Sequence, residues 1–219
     1  KRTHEHTPRS MGDTAYSMKR PAVDPGRVDL EDPLIGATVD HFELRALLGE
    51  GGMGRVYLAH DLSLQRPVAL KMLRRELSDS PELVARLIEE ARAQARIQHP
   101  HVISVYYIGH HEGAPYIAME YVEGTNMAQH LKDHGPLPWQ EALEVVIQTA
   151  RALFHAHLKQ FSHRDIKPSN LIITKGGQYR SAAVNIKVAD FGLAAPVGRK
   201  EEHFMGTPRY AAPELIDGH

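Results

Sequence analysis

From Asp40 onward the chain alternates between apolar and polar positions in recognisable periods. Phe42, Leu44, Ala46 and Leu48 alternate up to a cluster of glycines, and Val56, Leu58 and the run Val68-Ala69-Leu70 continue in short apolar stretches. Period-two patterning interrupted by a glycine turn predicts three antiparallel strands, with the turn between the first two. A helix is expected next, because Ser80 suits an N-cap and Pro81 the first helical position. At helical spacing Val84, Leu87, Ile88, Ala91 and Ala95 form one apolar stripe. Glu90 falls at the edge of that stripe and Glu89 nearly opposite, so Glu90 is the acid able to face inward. Val102, Val105, Tyr107 and the run from Tyr116 to Val122 predict two further strands, ended by Gly124. From Pro138, residues Trp139, Ala142, Leu143, Val146, Ile147, Ala150, Leu153 and Phe154 recur at helical spacing, which predicts a buried helix of a second lobe. Residues 1–38 mix Pro8, Pro21, Pro25, Gly26 and Pro33 with charges. They bury too little to offset their ordering entropy and read as a disordered leader or linker.

Composition narrows the function classes. With 219 residues, 42% of them hydrophobic, the chain can bury the core of one large domain or two small lobes. A net charge of -1 argues against broad capture of nucleic acid or membrane surface. The absence of cysteine excludes disulfides and thiolate metal sites. The pairs His4/His6, His110/His111 and His155/His157 are scattered and lack a carboxylate partner set, so they do not make a metal centre. No apolar run is long enough to span a membrane. The chain opens on Lys1 without a signal-peptide stretch and reads as a piece of something longer.

Five short motifs follow one another in a fixed order. The first is Gly49-Glu50-Gly51-Gly52-Met53-Gly54-Arg55-Val56, a turn whose backbone amides can approach phosphates because no side chain stands in the way. Alone it is equally an ordinary flexible hairpin. The dinucleotide-binding alternative requires a helix after the glycines, whereas Arg55-Val56-Tyr57-Leu58 continues as β-type sequence. The second is Val68-Ala69-Leu70-Lys71, which places an ammonium at the edge of a buried strand. Lys71 either snorkels to solvent or is held by Glu90 against the α- and β-phosphates of a nucleotide. The third, His163-Arg164-Asp165-Ile166-Lys167-Pro168-Ser169-Asn170, is the most specific. Asp165 can orient or accept the proton of an attacking hydroxyl, Lys167 can balance charge on a transferring phosphoryl group, and Asn170 offers an amide oxygen to a metal ion. Asp190-Phe191-Gly192 then supplies a hard carboxylate oxygen suited to Mg²⁺. Phe191 either positions Asp190 or is simply core. Ala212-Pro213-Glu214 closes the series.

These motifs, in this order, are similar to those of Hanks-type serine/threonine protein kinases, particularly the bacterial eukaryotic-like members, from about residue 40 to 217. The resemblance implies an α+β, two-lobed kinase-like fold. A small antiparallel β lobe with one main helix would span about 40–122, and an incomplete, mainly helical lobe about 123–219. It implies ATP and Mg²⁺ as cofactors, with Asn170 and Asp190 as metal ligands, Asp165 as base, and protein serine or threonine hydroxyls as acceptors. Leu48 and the glycine-rich residues would lie over the nucleotide, Val56 and Ala69 would sandwich the adenine, and Met119 would be the gatekeeper. Glu120 and Val122 would lend hinge backbone groups, and Thr207 would contact Asp165 and Lys167. The kinase domain would be cytoplasmic, in a protein whose relatives often carry a membrane helix beyond it.

Two features depart from that pattern. No serine, threonine or tyrosine lies between Gly192 and Thr207, so the loop is expected not to be switched by phosphorylation; either Glu201 or Glu202 substitutes electrostatically near Arg164, or the loop is merely floppy and Arg164 solvated. The chain also stops five residues after Glu214, where relatives continue with further helices. A fragment ending there is expected to expose apolar surface and to have little activity. Residues 175–183, containing Gly176-Gly177, read as a lengthened surface hairpin. The competing classes are a nucleotide-binding pseudokinase or scaffold and a small-molecule phosphotransferase. The complete set of reactive residues disfavours the first, and Thr207 with Ala212-Pro213-Glu214 disfavours the second.

Overall fold

In this computed structural model residues 32–51, 54–174, 184–191, 195–196 and 207–213 are described. The N-terminal half is a six-stranded antiparallel sheet in the order β1-β2-β3-β4-β6-β5. Its strands are β1 (Thr38–Val39), β2 (Phe42–Glu50), β3 (Gly54–Asp61), β4 (Arg66–Leu73), β5 (Val105–His111) and β6 (Ala114–Glu120). Alternation sorts their side chains onto two faces. One face packs Phe42, Leu44, Tyr57, Val68, Leu70, Tyr116 and Ala118 into a core with Leu34 and Leu47 at its edge. The other carries Leu73 and Ile117 beneath a helix that supplies Leu87 and Ala91.

That helix is α2 (Pro81–Ala95), preceded by a single turn, α1 (Arg75–Ser78). Ser80 caps α2 as the sequence predicts, its side chain accepting from the Leu83 amide. Glu90 is buried and Glu89 exposed, in agreement with the helical periodicity.

Gly124 does not end a strand. It opens β7 (Gly124–Asn126), which pairs with β9 (Leu171–Thr174), and β9 pairs with β10 (Ile186–Val188), all antiparallel. A β-carbon at Gly124 would collide with the Ile173 carbonyl oxygen, so close backbone approach is what the glycine permits here. Helices α3 (Met127–His134) and α4 (Trp139–Leu158) pack beneath, and β8 (Phe161–Ser162) pairs with β11 (Ala195–Pro196). The hairpin expected at 175–183 lies outside the described residues.

The expected buried stripe of α4 requires correction. Trp139, Val146 and Phe154 are 71%, 62% and 64% exposed, and Leu143 and Leu158 are exposed as well. The helix instead buries Val145, Gln148, Thr149, Ala152 and Ala156. The polar members of that face are satisfied: Gln148 Nε2 donates to the Val184 carbonyl and its Oε1 accepts from Ile186 N–H, at 3.0 and 2.9 Å. Gln148 thereby mimics a strand neighbour of β10, and Thr149 Oγ1 donates to the Val145 carbonyl at 2.7 Å. Apolar periodicity alone cannot reveal a helix face that is buried through its amides.

Of the leader expected over 1–38, residues 1–31 lie outside the described residues, and the last part requires correction. Residues 32–37 are folded against the sheet: Gly36 N–H donates to the Leu44 carbonyl and Leu44 N–H to the Ala37 carbonyl, at 2.8 and 2.9 Å.

The two halves meet where the segment between α2 and β5 lies along β10. Val188 N–H donates to the His101 carbonyl and Ile103 N–H to the Val188 carbonyl, at 2.8 and 3.0 Å. Gln94 Nε2 of α2 donates to the Ile103 carbonyl at 2.9 Å. The Glu120 carboxylate ends β6, reaches Lys187 Nζ of β10 at 2.6 Å and accepts from Ser104 N–H at 3.2 Å.

His99 belongs to the same joint, its ring 5.4 Å from those of His101 and His155, and its Nδ1 accepts from His101 N–H at 3.2 Å. Burial foremost, then the nearby His101, His155, Arg151 and Lys187, pull its pKa below the ordinary value. A histidine depressed in the folded state contributes stability that is present above its unfolded pKa of about 6.5 and lost as pH falls below it. His99→Asn keeps an acceptor for the His101 amide but cannot titrate. Denaturant unfolding should therefore show the wild type losing more stability than this variant between pH 7.5 and 5.5, and parallel losses would contradict the assignment.

Candidate active site

Strand register assembles one side of the cleft. Val56 faces Lys71 across β3 and β4, Leu58 faces Ala69, and Ala69 faces Met119 across β4 and β6. Alternation therefore puts Val56, Ala69, Lys71 and Met119 on one face of the sheet, the face that also meets α2. Gly49 and Glu50 end β2, and the Gly51 and Gly54 backbones exchange hydrogen bonds at 2.9 and 3.3 Å across the turn. Gly52 and Met53 lie outside the described residues. A register irregularity between Leu47 and Gly49 accompanies Leu48, which is 41% exposed. Arg55 and Tyr57 alternate with Val56, so the Arg55 side chain lies on the opposite face from Lys71. Glu120 ends β6 and Val122 lies in the irregular segment that leads from it to β7, both half-buried.

The other side of the cleft comes from the segment 163–170 and the residues after β10. His163 is 3% exposed; its Nδ1 accepts from Asp165 N–H at 3.3 Å, and its Nε2 lies 3.2 Å from the Ala189 carbonyl, to which it donates as the Nε2–H tautomer. Burial is the main reason its pKa lies below the ordinary histidine value, which keeps that tautomer neutral. Its ring packs on the buried Phe191 at 4.4 Å, so Phe191 is core and a support for Asp190 at once. Ala189 N–H donates to the Asn170 carbonyl at 2.8 Å. These bonds bring Asp190 beside Asn170. Arg164 and Asp190 both adopt positive φ, 63° and 58°, a conformation that costs a non-glycine residue energy and concentrates at functional sites.

Asp165, Lys167 and Thr207 form a closed set. Lys167 Nζ lies 2.6 Å from Asp165 Oδ2 and donates to Thr207 Oγ1 at 2.8 Å. Thr207 donates to Asp165 Oδ1 from both its hydroxyl, at 2.9 Å, and its amide, at 3.2 Å. Asn170 Nδ2 donates to the Asp165 carbonyl at 2.9 Å. Burial by itself raises the Asp165 carboxyl, but hydrogen bonds from Lys167 and Thr207, aided by the lysine charge, outweigh it and hold the group below its ordinary value. A carboxylate kept ionised next to a cation, at the mouth of a cleft, can take or orient a proton.

Lys71 is tied to the lower half. Its Nζ lies 2.6 Å from Asp190 Oδ1, an ion pair linking the sheet to the lower half across 119 residues of sequence. Glu90 is buried on the inner face of α2, but the described ion pair of Lys71 is with Asp190, because the joint at Val188 carries Asp190 directly under β4. The Glu120 side chain and Lys187 were not anticipated. A lysine between the buried Ile186 and Val188 is the signal that marks them. Gly192, Glu201, Glu202 and Glu214 lie outside the described residues.

A model of the protein kinase domain family matches residues 42–219. The chain belongs to that family. It is 37% identical over 190 residues to the serine/threonine-protein kinase PrkC of Bacillus subtilis, covering 84% of this chain and 28% of that protein. With the serine/threonine-protein kinase PknA of Mycobacterium tuberculosis the identity is 40% over 198 residues, 85% of this chain and 44% of that protein. The fold matches the PknI kinase domain of Mycobacterium tuberculosis, solved as a double mutant, with a TM-score of 0.67 and 33% identity over 84% of this chain and 69% of the other. The kinase domain thus spans less than half the length of these curated relatives. Among the described residues no helix is long and apolar enough to cross a membrane.

Gly54 tests how tightly the glycine-rich turn of this kinase domain is built. A β-carbon there would collide with the Met72 carbonyl oxygen, which is backbone and cannot swing aside. Gly54→Ala should lower the unfolding free energy by about 1–3 kcal/mol, the range for overpacking a fixed site. An unchanged midpoint in urea would show that the two strands separate freely.

Proposed function

We infer that this domain transfers the γ-phosphoryl group of ATP to serine or threonine hydroxyls of proteins. The observation that carries the reading is the Asp165 carboxylate, held ionised between Lys167 and Thr207. In this role Asp165 orients the acceptor hydroxyl and takes its proton, while Lys167 offsets charge on the phosphoryl group in flight. Thr207 holds Asp165 from the side on which a peptide would lie.

Asn170 and Asp190 fit a divalent ion. Asn170 commits its amide nitrogen to Asp165, leaving the amide oxygen as its acceptor, and Asp190 adds a half-exposed carboxylate; both are hard oxygen donors. Asn170 and Asp190 would hold Mg²⁺, whose positive charge would offset part of that on the ATP phosphates. Lys71, adjacent to Asp190, is the cation available to the α- and β-phosphates, with Glu90 behind it. The backbone of Leu48 through Arg55 would cover the phosphates, Val56 and Ala69 would sandwich the adenine, Met119 would be the gatekeeper, and Glu120 and Val122 would lend hinge backbone groups. The domain is read as cytoplasmic.

Asp165→Asn separates catalysis from binding. It should lower phosphoryl transfer in the full-length protein at least about 100-fold, the scale of a general base, with ATP affinity unchanged. Transfer at the wild-type rate would remove Asp165 from the mechanism. A scaffold would show ATP-dependent thermal stabilisation with no transfer in the wild type itself.

A further inference from the structure

Residues 32–37 precede the segment matched by the kinase family, which starts at residue 42, yet they carry a buried charge. The Asp32 side chain is 4% exposed. Its Oδ1 accepts from Leu34 N–H at 3.0 Å, and its Oδ2 accepts from the Tyr57 hydroxyl at 2.8 Å and from Arg55 NH1 at 3.4 Å. Burial, reinforced by the bond to Asp32, pushes the Tyr57 hydroxyl up to about 12. Tyr57 is therefore a neutral donor, and the negative charge of Asp32 is directed at Arg55.

From Arg55 the contacts run toward the glycine-rich turn. Arg55 Nε lies 3.4 Å from Glu50 Oε1, and Arg74 NH2 lies 3.1 Å from the same oxygen and donates to the Gly51 carbonyl at 2.9 Å. Four charges of alternating sign, Asp32, Arg55, Glu50 and Arg74, thus end on the backbone of the turn. Arg55, Glu50 and Arg74 are each more than two-fifths exposed, so each pair alone is weak. Asp32 differs because its carboxylate is buried and held by two further donors. The series lies on the sheet face away from Lys71, so it can act on the turn without touching a nucleotide.

We propose that Asp32 is a positioning residue which, through Arg55 and Glu50, fixes the two edges of the glycine-rich turn, Glu50–Gly51 and Gly54–Arg55, and so slows the release of a bound nucleotide. This rests on the kinase reading of that turn. It makes the segment ahead of the family domain part of the nucleotide-binding lobe.

Asp32→Asn is the discriminating variant. The amide can still accept from Leu34 N–H and bond the Tyr57 oxygen, but it has no charge for Arg55. In the full-length protein a fluorescent ADP analogue should dissociate about threefold faster from Asp32→Asn than from wild type, as a surface charge network would allow. KM for ATP should rise in step while kcat stays within twofold, and Asp32→Glu should recover part of the loss. Raising NaCl should speed release from the wild type more than from Asp32→Asn, because the variant has already lost the screened interaction. Unchanged nucleotide release in Asp32→Asn, or a fall in melting temperature without a change in KM, would overturn the proposal. Wild-type protein that shows this Asp32-dependent release but transfers no phosphoryl group would overturn the kinase reading and leave the tether standing.

Discussion

The backbone of Val188 is hydrogen-bonded on both sides to the segment 101–103, and the catalytic geometry depends on that short ladder. It joins a strand of the lower half to the loop that leaves α2, so the sheet and the motif residues below it cannot drift apart independently. Two residues later Asp190 arrives under Lys71 at ion-pair distance. The hydrogen bonds of Gln94, Glu120 and Lys187 surround this ladder and fasten α2 and β6 to the same point. Main-chain pairs are insensitive to side-chain changes, so a ladder at the junction is a robust way to fix one half against the other.

What was legible in the chain is what local chemistry dictates. The glycine turn, the Ser80 cap, the inward Glu90 and the closeness of Asp165, Lys167 and Asn170 each follow from a few neighbouring residues. Contacts across long sequence separations were not legible by the same route. Lys71 meets Asp190 and Glu120 meets Lys187, because strand register and a backbone ladder decide both. The buried face of α4 escapes the hydropathy pattern for a different reason: Gln148 is buried because it completes the edge of β10, and hydropathy ranks it as surface. The contact of Thr207 with Asp165 and Lys167 was expected only from family resemblance, since no local rule links residues forty positions apart.

Electrostatics divides the molecule into two kinds of charged site. Around Asp165 and Lys71 the pairs are short and partly buried, and the strained backbone at Arg164 and Asp190 is held by the bonds of His163 and Ala189. Around the glycine turn the charges are long, exposed and screened, with one buried member, Asp32. The first kind suits fixed positions for reacting groups. The second suits contacts that salt screens and that can rearrange.

The most direct test of the account is to incubate the full-length protein with γ-labelled ATP, Mg²⁺ and a generic basic protein, then hydrolyse the product and identify the labelled amino acids. Label on phosphoserine and phosphothreonine is the predicted result. Label confined to tyrosine, or ATP turnover with no label on protein, would contradict it.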